Sequence, residues 1–96
     1  MTPIDKYVLR LYVTGLTPRS TRAITCVREV CEQHLAGRYE LEIIDVYQQP
    51  ARITHDQIVA IPTLVKCNPS PQRLLVGDMS NRQRLLYGLG LAAAVA

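Results

Sequence analysis

Between residues 6 and 13 the chain reads KYVLRLYV, which puts Tyr7, Leu9, Leu11 and Val13 on one side of an extended segment and Val8, Arg10 and Tyr12 on the other. Period-two alternation with apolar groups on both sides predicts a strand covered on both faces, as in a layered α/β sheet. Thr14-Gly15 breaks the pattern, and Thr17-Pro18 opens a helix. The threonine hydroxyl can cap free N–H groups, and the fixed φ of proline suits the first helical position. Ala23, Ile24, Val27, Val30, Cys31 and Leu35 then recur at helical spacing as one apolar stripe, with Gly37 placed to stop it. Arg28 and Glu32 have the spacing of a weak i,i+4 ion pair. Residues 39–46 (YELEIIDV) form a second strand. A strand–helix–strand of this length predicts a right-handed parallel unit.

The second half is less decided. Thr54 to Gln57 has the form of a capping box and predicts a short helix running to Ala60. Residues 61–65 (IPTLV) read as a strand entered through an X-Pro bond, residues 68–71 as a turn and residues 73–76 as a further strand ended by Gly77-Asp78. Ser80 to Gln83 is another capping-box candidate, opening a helix near Asn81. The predicted order is β-α-β-α-β-β-α in one α/β domain spanning residues 1–96, the thioredoxin-like arrangement. Two stretches escape this reading. Residues 84–91 (RLLYGLGL) fit helix or strand, because Gly88 and Gly90 each cost about 1 kcal/mol inside a helix. Residues 58–65 fit a strand as well as a helix followed by a strand, since a continuous apolar run has no period to arbitrate. Two arrangements of this half can lie within a few kcal/mol of each other, on the order of the gap seen in fold-switching chains.

Composition narrows the function. Phe and Trp are absent, so aliphatic side chains carry the core and the five Tyr edge it. The net charge of +3 comes from basic residues spread from Lys6 to Arg84 without a run, unlike the clustered stripe of a nucleic-acid surface. No leader is visible at the N-terminus, and the apolar stretch 89–96 is too short to cross a bilayer, so a cytoplasmic protein is expected. Three cysteines (Cys26, Cys31 and Cys67) without a CxxC spacing fit unpaired thiols in a reducing compartment. In a thioredoxin-like fold, thiol chemistry needs a Cys where the first strand meets the first helix. This chain has TGLTPRS at residues 14–20, so disulfide exchange is excluded. Ile61-Pro62-Thr63 matches the loop that carries a cis proline in such folds. His34 and His55 lack ligand-like neighbours, Asp45 and Asp78 sit where Asp caps turns, and Gly15 stands alone rather than in a phosphate-binding loop. No histidine is placed to activate Ser20, Ser70 or Ser80. No metal or cofactor is expected. A binding module fits better than an enzyme, the enzymatic alternative being a glutathione-binding protein that uses Ser20 or Tyr12 near the thiol and Pro62 for the backbone.

The segments YVLRLYVTGLTPRSTRAI, YELEIIDVYQQP, IPTLVK and LVGDMSNRQRLLYGL, in this order from about residue 6 to residue 89, resemble the KaiB family of circadian-clock proteins. The resemblance implies a non-enzymatic regulator that binds the N-terminal ATPase ring of KaiC, competes there with the sensor domain of the histidine kinase SasA, and captures KaiA. It also implies two folds, a tetramer-forming βαββααβ ground state and a thioredoxin-like monomer. Positions matching those used for assembly in the family are Arg10, Arg22 and Lys66; Arg73 falls in a basic pair whose second member is here Leu74. Pro62, Gly88 and Gly90 fall in the matching switch region, with Gly90 where the family pattern is acidic and residues 92–96 replacing an acidic tail. These departures suggest a paralogue or a reduced clock, and leave open a KaiB-like interaction protein that acts outside a clock. Replacing Gly88 by Ala is expected to raise helical preference and favour the thioredoxin-like arrangement, by up to about 1 kcal/mol.

Overall fold

A computed structural model describes residues 6–15, 17–56, 58, 60–68, 71–77, 79 and 81–91, without the side chains of His55 and Asp56. The chain runs β1 (Tyr7–Val13), α1 (Pro18–His34), β2 (Tyr39–Asp45), α2 (Ala51–Asp56), β3 (Thr63–Asn68), β4 (Arg73–Val76) and α3 (Arg82–Gly88). This is the expected thioredoxin-like order, not βαββααβ. The sheet order is β2-β1-β3-β4, with β1 parallel to β2 and antiparallel to β3, and β3 antiparallel to β4.

The first half forms as its pattern dictates. Thr17 caps α1 by accepting the Ser20 amide at 3.2 Å. The helix closes with the Leu35 amide donating to the Cys31 carbonyl at 2.7 Å, and Gly37 takes φ +75° to turn the chain toward β2. The α1 stripe, with Val27, Val30 and Cys31 buried, packs on the sheet face that carries Tyr7, Leu9, Leu11 and Val13. No Arg28–Glu32 ion pair is found among the described residues; Glu32 Oε2 instead accepts the Tyr39 hydroxyl at 2.6 Å. The opposite face holds a smaller cluster of Tyr12, Ile44, Val46, Ile58 and Val65. β1 is thus covered on both sides.

The second half departs from local pattern at two points, the starts of α2 and β3, while α3 opens where expected. α2 begins at Ala51, three residues before the capping box centred on Thr54; Gln57 lies outside the described residues. The helix starts early because its anchors do: the Ile53 amide donates to the Pro50 carbonyl at 3.2 Å, Ile53 packs on the smaller cluster, and the Arg52 guanidinium grips Glu42. β3 begins at Thr63, not Ile61, and extends to Asn68, into the expected turn; residues 69 and 70 lie outside the described residues. Pro62 has no N–H to donate to a ladder, its bond to Ile61 is cis as expected, and pairing starts with Tyr12 and Val76 against Thr63. α3 is capped by Asn81, whose side-chain oxygen accepts the Arg84 amide at 3.1 Å; Ser80 lies outside the described residues.

The ambiguous stretch 84–91 becomes helix through Gly88 and ends at Gly90 with φ +76°. Leu85 and Leu89, four apart, both enter the larger core, a gain that local preference does not contain. Gly88 corrects one expectation. A Cβ at this position would stand 2.1 Å from Leu75 Cδ2 and 2.8 Å from its Cγ. The helical gain expected of Gly88→Ala is therefore opposed, in this fold, by the displacement of Leu75.

Candidate interaction surface

The junction of β1 and α1, where redox members of this fold keep their thiols, is closed by side-chain bonds. Ser20 is fully buried, and its Oγ accepts the Thr14 amide at 3.1 Å. Asp45 Oδ1 accepts the Tyr47 amide at 2.9 Å and the Gly15 amide at 3.3 Å, the turn-capping role expected of it. Leu16 and Asp78 lie outside the described residues, as do Ser70 and Ser80. None of the three cysteines forms a disulfide: Cys31 is buried in α1, and burial raises its thiol pKa to about 11, while Cys26 and Cys67 are half-buried. A buried, protonated thiol is the reverse of an activated one. The glutathione reading also fails on geometry, because the fully buried Tyr12 donates its hydroxyl to the Arg52 carbonyl at 3.1 Å and the Ser20 hydroxyl is engaged as above. Among the described residues no three His, Cys, Asp or Glu side chains cluster to hold a metal. No described helix is long and apolar enough to cross a membrane.

The basic residues selected from sequence separate into distinct places. Lys66 and Arg73 are cross-strand partners, so two like charges share one sheet face. Lys66 is only 4% exposed. Its stem is covered, while its ammonium group reaches solvent: no fully buried side-chain nitrogen or oxygen among the described residues lacks a hydrogen-bond partner. Burial first, and Arg73 second, lower its pKa. No ion pair of Lys66 is found among the described residues. Arg10 projects from the other face of the sheet, where it stands 3.9 Å from Glu42. It lines an open groove of about 460 Å³ over β1 and β2, together with Val8, Glu40 and Glu42. Arg22 lies exposed on α1. Pro62 is buried, and its carbonyl accepts the Gly77 amide at 3.1 Å, which ties the cis-proline loop to the end of β4.

Sequence reasoning missed two features. Leu74 and Val76 are 43% and 39% exposed on the sheet face away from Lys66, an apolar edge that the alternation of RLLV allows but does not predict. Tyr47 is 77% exposed beside the β1–α1 junction. The ion pairs of Arg52 and Arg82 were also unread; they join residues far apart in sequence, and no local signal carries them.

The KaiB domain family matches residues 10–91. A circadian clock oscillator protein KaiB of Prochlorococcus marinus is 46% identical over 91 residues, covering 95% of this chain and 78% of that protein. The protein of the same name from Trichodesmium erythraeum is 47% identical over 92 residues, covering 95% of this chain and 88% of its own length. Among solved structures, the N-terminal domain of Synechococcus elongatus SasA has a TM-score of 0.75 at 22% identity, covering 100% of this chain and 94% of that domain. Chloroplastic thioredoxin z has a TM-score of 0.73 at 18% identity over 90% of this chain and 77% of its own. At these identities both likenesses speak for the fold, which is thioredoxin-like.

Proposed function

The chain belongs to the KaiB family, and from that premise we propose that it is a non-catalytic circadian-clock component that works by docking onto a KaiC-type ATPase ring. It acts as a single cytoplasmic domain, competes for that ring with a SasA-type sensor domain, and in a full system helps to sequester KaiA. The observation that carries this reading is the closed β1–α1 junction: a thioredoxin-like scaffold whose residues 14–20 (TGLTPRS) include no cysteine, and whose buried Ser20 is spent on the Thr14 amide, keeps the surface of the fold without the thiol its chemistry needs.

Docking uses the Lys66–Arg73 pair and Arg22 as contacts for an acidic surface, and Arg10 on the other sheet face for a second partner. The lowered pKa of Lys66 supports this, since a cation with a covered stem and no ion pair among the described residues gains most from a carboxylate supplied in trans. Residues 58–91, with Pro62, Gly88 and Gly90 at the points of change, repack between this arrangement and a homo-oligomeric ground state. Selection of a minor conformer lowers apparent affinity by its population, about a hundredfold for a 1% state.

Size-exclusion chromatography of the chain with a purified KaiC-type ATPase, across ATP and ADP conditions and phosphorylation states, tests the proposal. Co-elution that a SasA sensor domain displaces, and that charge removal at Lys66 and Arg73 weakens at least tenfold, is the expected result. Failure to associate under every nucleotide condition refutes it. One observation favours a second reading, a partner outside a clock: Leu74 presents an exposed apolar group where the family resemblance has a second arginine.

A further inference from the structure

α3 cannot be helical by its own preference. It is seven residues long, well under the roughly 12–15 needed for an isolated helix to be even marginal. Its first turn holds no acidic residue and carries Arg82 and Arg84, charges of the wrong sign for the positive end of a helix. Gly88 and Gly90 weaken its end. What holds it is docking: Leu85 and Leu89 enter the core, Leu75 fills the space above Gly88, the Tyr7 hydroxyl donates to the Leu89 carbonyl at 3.1 Å, and a polar contact reaches across to α1. In that contact Arg82 Nη1 donates to Glu29 Oε1 at 3.2 Å, and Arg82 Nη2 donates to Gln33. The partners lie 53 and 49 residues from Arg82. Glu29 and Gln33 are four apart, so one face of α1 presents a carboxylate and an amide to a single guanidinium fork.

We infer that Arg82, Glu29 and Gln33 form an ionic latch that sets how often α3 lifts off the domain as a unit, and that opening the latch bares the apolar surface around Leu64, Leu75, Leu85 and Leu89. Both charged partners are about half-exposed, so salt screens the latch. The apolar contacts do not share this sensitivity. α1 is itself capped, seventeen residues long and packed along its stripe, so it stays in place as the fixed half of the contact. A lifted α3 returns residues 84–91 to a stretch whose pattern fits a strand equally well. If residues 58–91 repack as proposed above, the latch is a contact through which ionic strength, or an acidic group competing for Arg82, biases that change.

Amide hydrogen exchange of the intact chain tests this without reference to any partner. The reporters are the Leu89 amide, bonded to the Leu85 carbonyl, and the Leu91 amide, bonded to the Leu86 carbonyl; the control is the Val46 amide, bonded to the Val13 carbonyl. Exposed ion pairs are modest, so Glu29→Gln or Arg82→Gln is expected to speed exchange at Leu89 and Leu91 about two- to fivefold, with Val46 unchanged. Raising NaCl from 0.05 to about 0.5 M, where the screening length falls to a few Å, produces the same acceleration in the wild type and none in Glu29→Gln. The charge-exchanged pair Glu29→Arg/Arg82→Glu restores slow exchange. The salt titration needs no variant, so a substitution that prevents folding leaves the test intact. Equal acceleration at Val46, or no response of Leu89 and Leu91 to salt in the wild type, overturns the inference.

Discussion

Replacing Lys66 by Met probes the least comfortable charge in the domain. The lysine stem is covered at 4% exposure, its cross-strand neighbour is Arg73, and Met preserves the stem's length and apolar contacts while removing the ammonium group. Like charges directly opposite in a sheet cost up to about 1 kcal/mol, and relief of the head group's partial desolvation adds in the same direction. The expected gain is about 0.5–1 kcal/mol at pH 7, a rise in Tm of about 4 °C for a domain of this size. The pH dependence fixes the cause. Lys66 has a folded pKa below its unfolded value, so its unfavourable contribution is fully present below the folded pKa and is lost as pH rises through the window above it. Between the two pKa values the unfolded chain binds more protons, and stability rises with pH across that window. Urea midpoints at pH 7 and pH 10 read the difference: Lys66→Met leads at pH 7, and its lead shrinks at pH 10. Added salt narrows it too, by screening the repulsion in the wild type. Binding to the ATPase ring should move the other way and weaken at least tenfold. A variant less stable than the wild type at pH 7, or a lead that grows with pH, refutes the reasoning.

Ser20→Ala strands the Thr14 amide and is expected to lower stability by about 1–2 kcal/mol in urea unfolding, with Ser20→Thr intermediate in effect. Gly88→Ala and Leu75→Ala should be coupled by at least about 1 kcal/mol in a double-mutant cycle, because the new Cβ claims the space of the Leu75 side chain; additive effects would mean that Leu75 moves aside freely. At pH 8 a thiol reagent should label Cys26 and Cys67 well before Cys31, whose burial raises its thiol to about 11, and simultaneous labelling of all three would contradict that burial. Arg52→Met loses the bidentate grip on Glu42 at 3.0 and 3.1 Å, and about 0.5–1 kcal/mol with it, read as faster exchange at the Ile58 amide, which is bonded to the Ile53 carbonyl.

Much of the surface reading was legible only as residue types. Arg10, Arg22, Lys66 and Arg73 were singled out through the family resemblance, but alternation along a single strand does not say which strand lies next to it. Register alone makes Lys66 and Arg73 neighbours and sends Arg10 to the other face. That no cysteine stands at the β1–α1 junction was readable directly from the sequence. That Ser20 is consumed in joining β1 to α1 was not readable, because a buried serine and an exposed one look alike in sequence.

The sequence by itself determined β1, α1, β2 and β4. In the first three, period-two and period-3.6 patterns are unmixed and their ends carry caps and glycines, so local preference and burial agree. It also determined the helix-opening asparagine at 81 to within a residue. Tertiary structure alone decided where α2 and β3 begin and that residues 84–88 are helix rather than strand. In those stretches the apolar residues run together or the glycines cancel the preference. The choice then falls to contacts made at long range: Arg52 on Glu42, Thr63 against Tyr12, and Leu85 and Leu89 in the core with Arg82 fastened to α1.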